Sequence, residues 1–467
     1  MGLRFTNTLK SGDTPQPPGG GAKEDFEPIE PGSARIYVCG PTVYDVPHIG
    51  HARMAIVFDV LRRHLMWRGY DVLFVRNITD VDDKLINKAN ESGESTAIVA
   101  ERYTRIYEDE MSALGVLPPD ITPRASGHIT EMIELIQKLV EGGHAYAGEG
   151  SVYFAVESFD SYGKLSGRGI DDLANRERVE SAPGKRQPLD FALWKAAKPG
   201  EPSWPSPWGP GRPGWHIECS AMSAKYLDQP FDIHGGGADL IFPHHENEIA
   251  QSEAAFEKPF ARYWLHNGHV KFGGEKMSKS LKNYINVQEV LEDYSPNVLR
   301  LFFCQAHYRS QIDYGPEALD EAKTVWDRFA AFLRASRTDD ARVGSDNSEK
   351  LAAFGAALDD DLNTPQALTE LHEIVSRGNR ALESGDRAVA ALERAALVEG
   401  LGVLGLSADA EDRSREVVGP LVELLLEQRD QARTDKDFAR ADQIRDRLAE
   451  IGVRVEDSAS GPRWFLE

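Results

Sequence analysis

Residues Ala34–Phe58 read ARIYVCGPTVYDVPHIGHARMAIVF, and the order of signals in that stretch decides the fold. Ala34–Gly40 carries Ile36 and Val38 on one face, the period-two mark of a strand. A loop follows, and a helix is expected to start near His48. Met54, Val57, Phe58, Leu61 and Leu65 then recur at helical spacing. Gly69 ends that helix, and Asp71–Thr79 (DVLFVRNIT) reads as a buried strand. Strand, helix, strand is half of a parallel nucleotide-binding sheet.

A second half lies downstream. Phe231–His234 is a short strand running into Gly235–Gly237, a helix is expected from about Pro243 to Ala255, and a strand around Tyr263–Val270. Between the halves sits a long insertion, roughly Arg124–Pro213. It holds a strand at Val152–Val156 and a Trp/Pro-rich segment at Pro202–Pro213. After Ser280 the pattern turns helical. Ala322, Val325, Phe329 and Phe332 mark one helix; Leu368, Leu371 and Val375 mark another. Phe438, Ala441, Ile444 and Leu448 mark a late helix. Val453 and Val455, a Gly461–Pro462 turn, then Trp464 and Leu466 suggest a hairpin. The expected fold is α/β. It is a Rossmann-like parallel-sheet catalytic domain with an insertion, followed by an α-helical bundle and a small mixed C-terminal domain.

The bulk composition agrees. The chain has 467 residues, 41% hydrophobic and 27% charged, enough for a large core and several domains. No apolar run reaches the length of a membrane span. The N-terminus shows no charged-then-apolar signal pattern, which predicts a cytoplasmic protein. Three cysteines, Cys39, Cys219 and Cys304, are too few and scattered for a disulfide framework. The net charge of −22 argues against a generally basic nucleic-acid binder without excluding one. It leaves room for a local positive track on an acidic body.

Two distant strings carry the chemistry. In PHIGH (Pro47–His51), His48 and His51 stand at a helix start, where free backbone N–H groups collect partial positive charge. Their imidazoles can donate hydrogen bonds to phosphate oxygens in a transition state. Gly50 leaves room for a nucleotide against the backbone. In KMSKS (Lys276–Ser280), Lys276 and Lys279 are compact cations on a loop that Gly273-Gly274 would let close over a polyphosphate. Together they describe an ATP site. A third set suits a metal. Cys39 ends the first strand, Cys219 lies in WHIEC, and His244 and Glu248 are four apart on a helix face. Cys, Cys, His and Glu are ligand types that fit zinc. His245 is an alternative to His244, and Cys219 is otherwise a core residue. Cys304 reads as core.

The two strings resemble the signature motifs of class I aminoacyl-tRNA synthetases. CGPTVYD, PHIGHAR, NITDVDDK, RPGWHIECSAM, FDIHGGGADLIFPHHENEIAQSE and KMSKS together resemble the cysteinyl-tRNA synthetase family, from about Arg35 to the C-terminus. That resemblance implies zinc on Cys39, Cys219, His244 and Glu248, with the zinc reading the substrate thiolate. It places Thr79, Trp215 and His234 in the cysteine pocket and Asp239 on the adenosine ribose, beside His48, Gly50, His51, Lys276 and Lys279 in the ATP site. It implies ATP with Mg²⁺, L-cysteine and tRNA-Cys as partners, no membrane, and a monomer. The implied domains are residues 1–123 and 214–296 (catalytic), 124–213 (connective insertion), 297–405 (stem contact and helical anticodon region) and 406–467 (small anticodon-recognition domain).

A tail helix from Glu427 would carry Arg429, Arg433, Lys436, Arg440, Arg445 and Arg447 among acidic residues. These are read as solvated ion pairs, or with Phe438 as a grip on unpaired bases. Three rivals remain. One is a related ligase joining cysteine to an amino sugar, against which the long tail speaks. The second is a zinc hydrolase built on His244 and Glu248, which would not need the KMSKS lysines. The third is a non-catalytic RNA-binding paralogue, disfavoured by intact His48, His51, Lys276 and Lys279. The Pro/Gly-rich loop Ser11–Ala22 has no assigned role.

Overall fold

The computed structural model describes residues 2–9, 21–168, 183–273, 275–276, 284–337, 347–407, 410–458 and 461–466. The chain forms two compact units, Met1–Leu406 and Ser407–Glu467.

The first unit is built on a four-stranded parallel sheet. Its strands are β1 (Ser33–Val38), β2 (Asp71–Arg76), β3 (Phe231–Gly237) and β4 (Ala261–Asn267), in spatial order β4-β3-β1-β2. Alternate residues feed two cores. Ile36, Val38, Phe74, Ile233, Tyr263 and Leu265 pack on one face. Tyr37, Val75 and Trp264 pack on the other. Both faces are covered, as a parallel sheet requires.

Helix α1 (Ile49–Trp67) links β1 to β2 and lays Met54, Val57, Phe58, Leu61 and Leu65 on the first face. It comes so close that a Cβ on Gly235 would stand 2.2 Å from the Phe58 ring. Helix α2 (Trp215–Leu227) precedes β3, and helix α3 (Glu246–Phe256) links β3 to β4. Ile249 and Ala250 of α3 pack on the opposite face from α1. The chain therefore leaves β1 and β3 toward opposite sides of the sheet. The crevice between their carboxyl ends is a topological switch point, where ligands of such sheets collect.

The insertion is richer in strands than its sequence pattern suggested. Ala145–Gly148, Ser151–Phe154, Phe191–Ala196 and Gly211–Pro213 form one antiparallel sheet. Its last strand leads straight into α2, and Gly214 N–H donates to the Leu193 carbonyl at 2.9 Å. The insertion thus fixes where α2 begins. Two strands are also shorter than the hydrophobic runs implied. Asp71–Thr79 ends as a strand at Arg76, and Tyr263–Val270 divides into β4 and a separate Val270–Phe272 strand. Past β2 the chain instead pairs locally, with Thr79 N–H on the Pro41 carbonyl and Val43 N–H on that of Thr79.

Helices Pro316–Ala335, Ala352–Asp359, Thr364–Glu383 and Arg387–Val403 follow. In the second unit, helices Ala410–Thr434 and Phe438–Glu450 pack with a hairpin of Val453–Ser458 and Gly461–Leu466. Val422, Leu426, Leu448, Val453 and Trp464 form its core. The tail helix expected from Glu427 is two helices, because Lys436 turns the chain at φ +61° and Asp437 caps a new start. Arg429 is buried rather than part of a solvated face, while Phe438 is exposed. No helix among the described residues is long and apolar enough to cross a membrane.

Candidate active site and metal centre

His48 is the N-cap of α1, and its ring works for the backbone. Its Nδ1 accepts from Gly50 N–H at 3.1 Å, and its own N–H donates to His51 Nδ1 at 3.1 Å. The pair is a reciprocal cap built from two imidazoles. The rings stack with centroids 3.9 Å apart. Because each Nδ1 accepts a backbone proton, each neutral ring carries its hydrogen on Nε2. Both imidazoles are thereby set as Nε2–H donors at the positive end of α1, beside the switch point.

Lys276 lies in the short strand Glu275–Lys276, paired antiparallel with Val270–Phe272. Lys279 and the rest of KMSKS lie outside the described residues, as does most of the Ser11–Ala22 loop. Asp239 is exposed in the turn after β3, its carboxylate 3.7 Å from His269 Nε2.

The four residues expected to hold a metal converge. Cys39 follows β1 immediately, Cys219 is in the second turn of α2, His244 precedes α3, and Glu248 is in its first turn. One donor atom from each lies within 4.8 Å of every other, and all four residues are buried. The two sulfurs are 3.7 Å apart, and Cys39 Sγ is 3.4 Å from Glu248 Oε1. A tetrahedral zinc with ordinary bond lengths would set these spacings at about 3.8 and 3.5 Å, so the donor set fits the ion in type and in spacing. His245 belongs to a second cluster with Cys39, His234 and Glu248 that lacks Cys219. His244, not His245, shares its cluster with both cysteines.

Glu248 is the hub. Its Oε1 is 2.8 Å from His244 Nε2 and its Oε2 2.7 Å from His234 Nε2. Burial opposes its charge, but the two imidazoles outweigh burial and hold the carboxyl well below its usual range. Burial likewise opposes a charged His244, yet Glu248 and Cys219 raise it to about 10. The hydrogen bond from Cys39 lowers Cys219 despite burial. Cys219 and Glu248 thus favour the thiolate and carboxylate forms that bind a cation, whereas burial holds Cys39 as a thiol and His244 carries a proton that a bound ion would displace.

Thr79 and His234 are buried at the carboxyl ends of the sheet, and Trp215 stacks on His244 with centroids 4.1 Å apart. Cys304 is buried in helix Pro296–Cys304, and burial pushes its thiol to about 11, as expected of a core cysteine.

Residues 25–324 match the family profile described as tRNA synthetases class I (C) catalytic domain. Residues 353–408 match a DALR domain, and residues 418–464 the cysteinyl-tRNA ligase anticodon binding domain. A cysteine–tRNA ligase of Alkalilimnicola ehrlichii is 52% identical over 453 residues, 95% of this chain and 98% of that protein. The chain belongs to the cysteine–tRNA ligase family. A cysteine–tRNA ligase of Geobacter sulfurreducens is 49% identical over 491 residues and all of both chains. Among solved structures, Mycobacterium tuberculosis methionyl-tRNA synthetase in complex with methionyl-adenylate shares the fold. It has a TM-score of 0.56 and 18% identity over 79% of this chain and 89% of that one.

For a member of the cysteine–tRNA ligase family, the structure adds residues that sequence reasoning missed. Asn77 Oδ1 accepts from Gly40 N–H at 2.8 Å and stands 3.8 Å from Cys219 Sγ, while its Nδ2 reaches Thr79 Oγ1 at 3.2 Å. A Cβ on Gly40 would sit 1.6 Å from the Asn77 carbonyl oxygen, so only glycine lets the two strand ends meet there. His216 Nδ1 is 2.9 Å from His244 Nδ1. Burial and then His244 keep His216 neutral, so it accepts from His244 Nδ1–H and orients that ring. Gln251 in turn donates to the His216 carbonyl at 2.9 Å. Glu218 is fully buried beside Cys219. Its position inside WHIEC, an acid directly before Cys219, was the available signal.

Proposed function

We propose that this chain is a cysteine–tRNA ligase acting in two steps in the cytoplasm as a monomer. The observation that carries the reading is the buried Cys39–Cys219–His244–Glu248 set at the switch point, beside two histidines fixed as Nε2–H donors. Cysteine's carboxylate attacks the α-phosphate of ATP; pyrophosphate leaves and cysteinyl-adenylate forms. The 2′-hydroxyl of the terminal adenosine of tRNA-Cys then attacks the cysteinyl carbonyl, and AMP leaves.

His48 and His51 donate to the phosphate oxygens as charge builds. Lys276 and Lys279 neutralise the departing pyrophosphate and Asp239 accepts from the ribose; Mg²⁺ entering with ATP would supply further charge neutralisation. Gly50 keeps the nucleotide against α1. Thr79, Trp215 and His234 wall the amino-acid pocket. Zinc bound to the four donors would supply a soft centre that takes a thiolate in preference to a hydroxyl. Serine is near-isosteric with cysteine, and a plain pocket separates such pairs poorly. The likeness of residues 418–464 to an anticodon binding domain supports tRNA, rather than an amino sugar, as acceptor.

The test is metal content measured alongside amino-acid-dependent exchange of pyrophosphate into ATP. One zinc per chain, and exchange with cysteine far faster than with serine, are expected. Equal exchange with serine would overturn the proposal.

A further inference from the structure

Arg53 is a fully buried arginine held by main-chain carbonyls. It stands in the second turn of α1, two residues past His51. Its Nη1 donates to the carbonyls of Gly268 and His269, both at 2.9 Å. Its Nη2 donates to those of Tyr308 at 3.2 Å and Ser310 at 2.5 Å. Burial lowers its pKa to about 10, with no carboxylate among the described residues to offset that effect. Burying a guanidinium without an anion is costly. What the fork holds explains why it is there.

Each arm holds one turn. Gly268 and His269 run into strand Val270–Phe272, and Tyr308 and Ser310 lead to strand Ile312–Tyr314. These strands pair in parallel, and the other edge of Val270–Phe272 pairs with Glu275–Lys276. The two turns already touch. Gly268 N–H donates to the Tyr308 carbonyl at 2.8 Å, and Ile312 N–H to that of His269 at 3.1 Å. Arg53 therefore fastens the root of the three-stranded sheet that carries Lys276 to the helix that begins with His48 and His51. His269, whose carbonyl it holds, has its Nε2 3.7 Å from the Asp239 carboxylate. Beyond the KMSKS string a second tie returns to the start of α1. Ile49 N–H donates to the Ile285 carbonyl at 3.0 Å, and Val287 N–H to that of Pro47 at 3.3 Å.

We propose that Arg53 is a positioning residue for ATP activation, setting the sheet that bears Lys276 against His48 and His51 so that the two motifs meet on one triphosphate. The proposal rests on the cysteine-ligase reading and says how that site is assembled. Arg53 acts through the groups it holds and touches no phosphate. Its effect belongs to the step in which the triphosphate reacts. Transfer of the cysteinyl group to tRNA, after pyrophosphate has left, does not draw on it.

The test compares the full-length, zinc-loaded chain with Arg53→Lys, which keeps the charge but ends in a single nitrogen that cannot span both turns. The kcat of cysteine-dependent pyrophosphate exchange should fall by about 100-fold, the effect of a misplacement of roughly 1 Å. Cysteine affinity by calorimetry and zinc content should be unchanged. Transfer to tRNA-Cys from adenylate already formed on the protein should keep its rate. In a Lys276→Ala background, Arg53→Lys should cost far less than it does alone, since both changes remove one contact. An unchanged exchange rate, equal slowing of exchange and transfer, or full additivity with Lys276→Ala would each overturn the assignment. So would loss of zinc or of cysteine binding, which would make Arg53 a support of the fold alone. If the unmodified chain shows no cysteine-dependent exchange, the ligase reading itself falls, and this inference with it.

Discussion

Glu248→Gln tests the centre most directly. The carboxylate spans two imidazoles, 2.7 Å to His234 Nε2 and 2.8 Å to His244 Nε2, with no exposure to water. Glutamine keeps the shape but has one acceptor oxygen, so it can receive only one of these N–H groups. Its amide nitrogen must face the other imidazole, donor against donor. One charge-assisted bond is lost, worth ~1.5–3 kcal/mol, and the His244 charge loses its nearest anion. His234 can recover part of this by moving its proton to Nδ1, an atom with no partner among the described residues. The net cost to metal-free protein is about 2–4 kcal/mol. With an unfolding slope of about 3 kcal/mol per molar urea, the midpoint of metal-stripped protein should fall by roughly 1 M. Tryptophan fluorescence is a suitable probe, because Trp264 stacks on His234 at 4.5 Å. Zinc affinity, measured by chelator competition, should fall by at least ~100-fold. An unchanged urea midpoint in the metal-stripped Gln variant would refute the hub role of Glu248.

Other outcomes follow from the same reasoning. Lys279→Ala should slow adenylate formation in rapid-quench experiments far more than it weakens cysteine binding; equal losses would contradict a cation acting on the reacting phosphates. Ending the chain after Leu406, the boundary of the first unit, should spare cysteine-dependent pyrophosphate exchange and damage tRNA charging; intact charging would remove the tail from anticodon recognition. Glu110, which burial raises from 4.5 to about 7, should make stability pH-dependent. A raised carboxyl contributes stability that is complete below pH 4.5 and lost as pH rises through 7. Glu110→Gln should therefore stabilise the protein above pH 7 by about 1–2 kcal/mol after allowance for partial exposure, and change little at pH 4.5; equal effects at both pH values would show that the carboxyl is not raised.

The sequence by itself determined the period-two and period-3.6 patterns around Ala34–Leu65 and Phe231–Val270, and with them the parallel sheet. These patterns are local, set by which side of a strand or helix meets the core. It also determined the ligand types, because Cys39, Cys219, His244 and Glu248 advertise their chemistry at any distance. His48 and His51 could be placed at a helix start for the same local reason. Where a run such as DVLFVRNIT stops being a strand was not local. Asn77–Thr79 leave the sheet to pair with the loop after β1, which no hydropathy pattern reports. The break at Lys436 was likewise hidden by an unbroken alternation of charges.

Only the tertiary structure decided which histidine faces the cysteines, since His244 and His245 are neighbours of equal chemistry until a backbone direction separates them. Only it showed Asn77 joining the two strand ends, and Glu218 buried with its oxygens unmatched. A side chain's type is written in the chain, but its partners are chosen by elements far away in sequence, as Cys39 and Cys219 are at 180 residues. Pairing across that distance is settled when the sheet closes and the insertion delivers α2 to its edge.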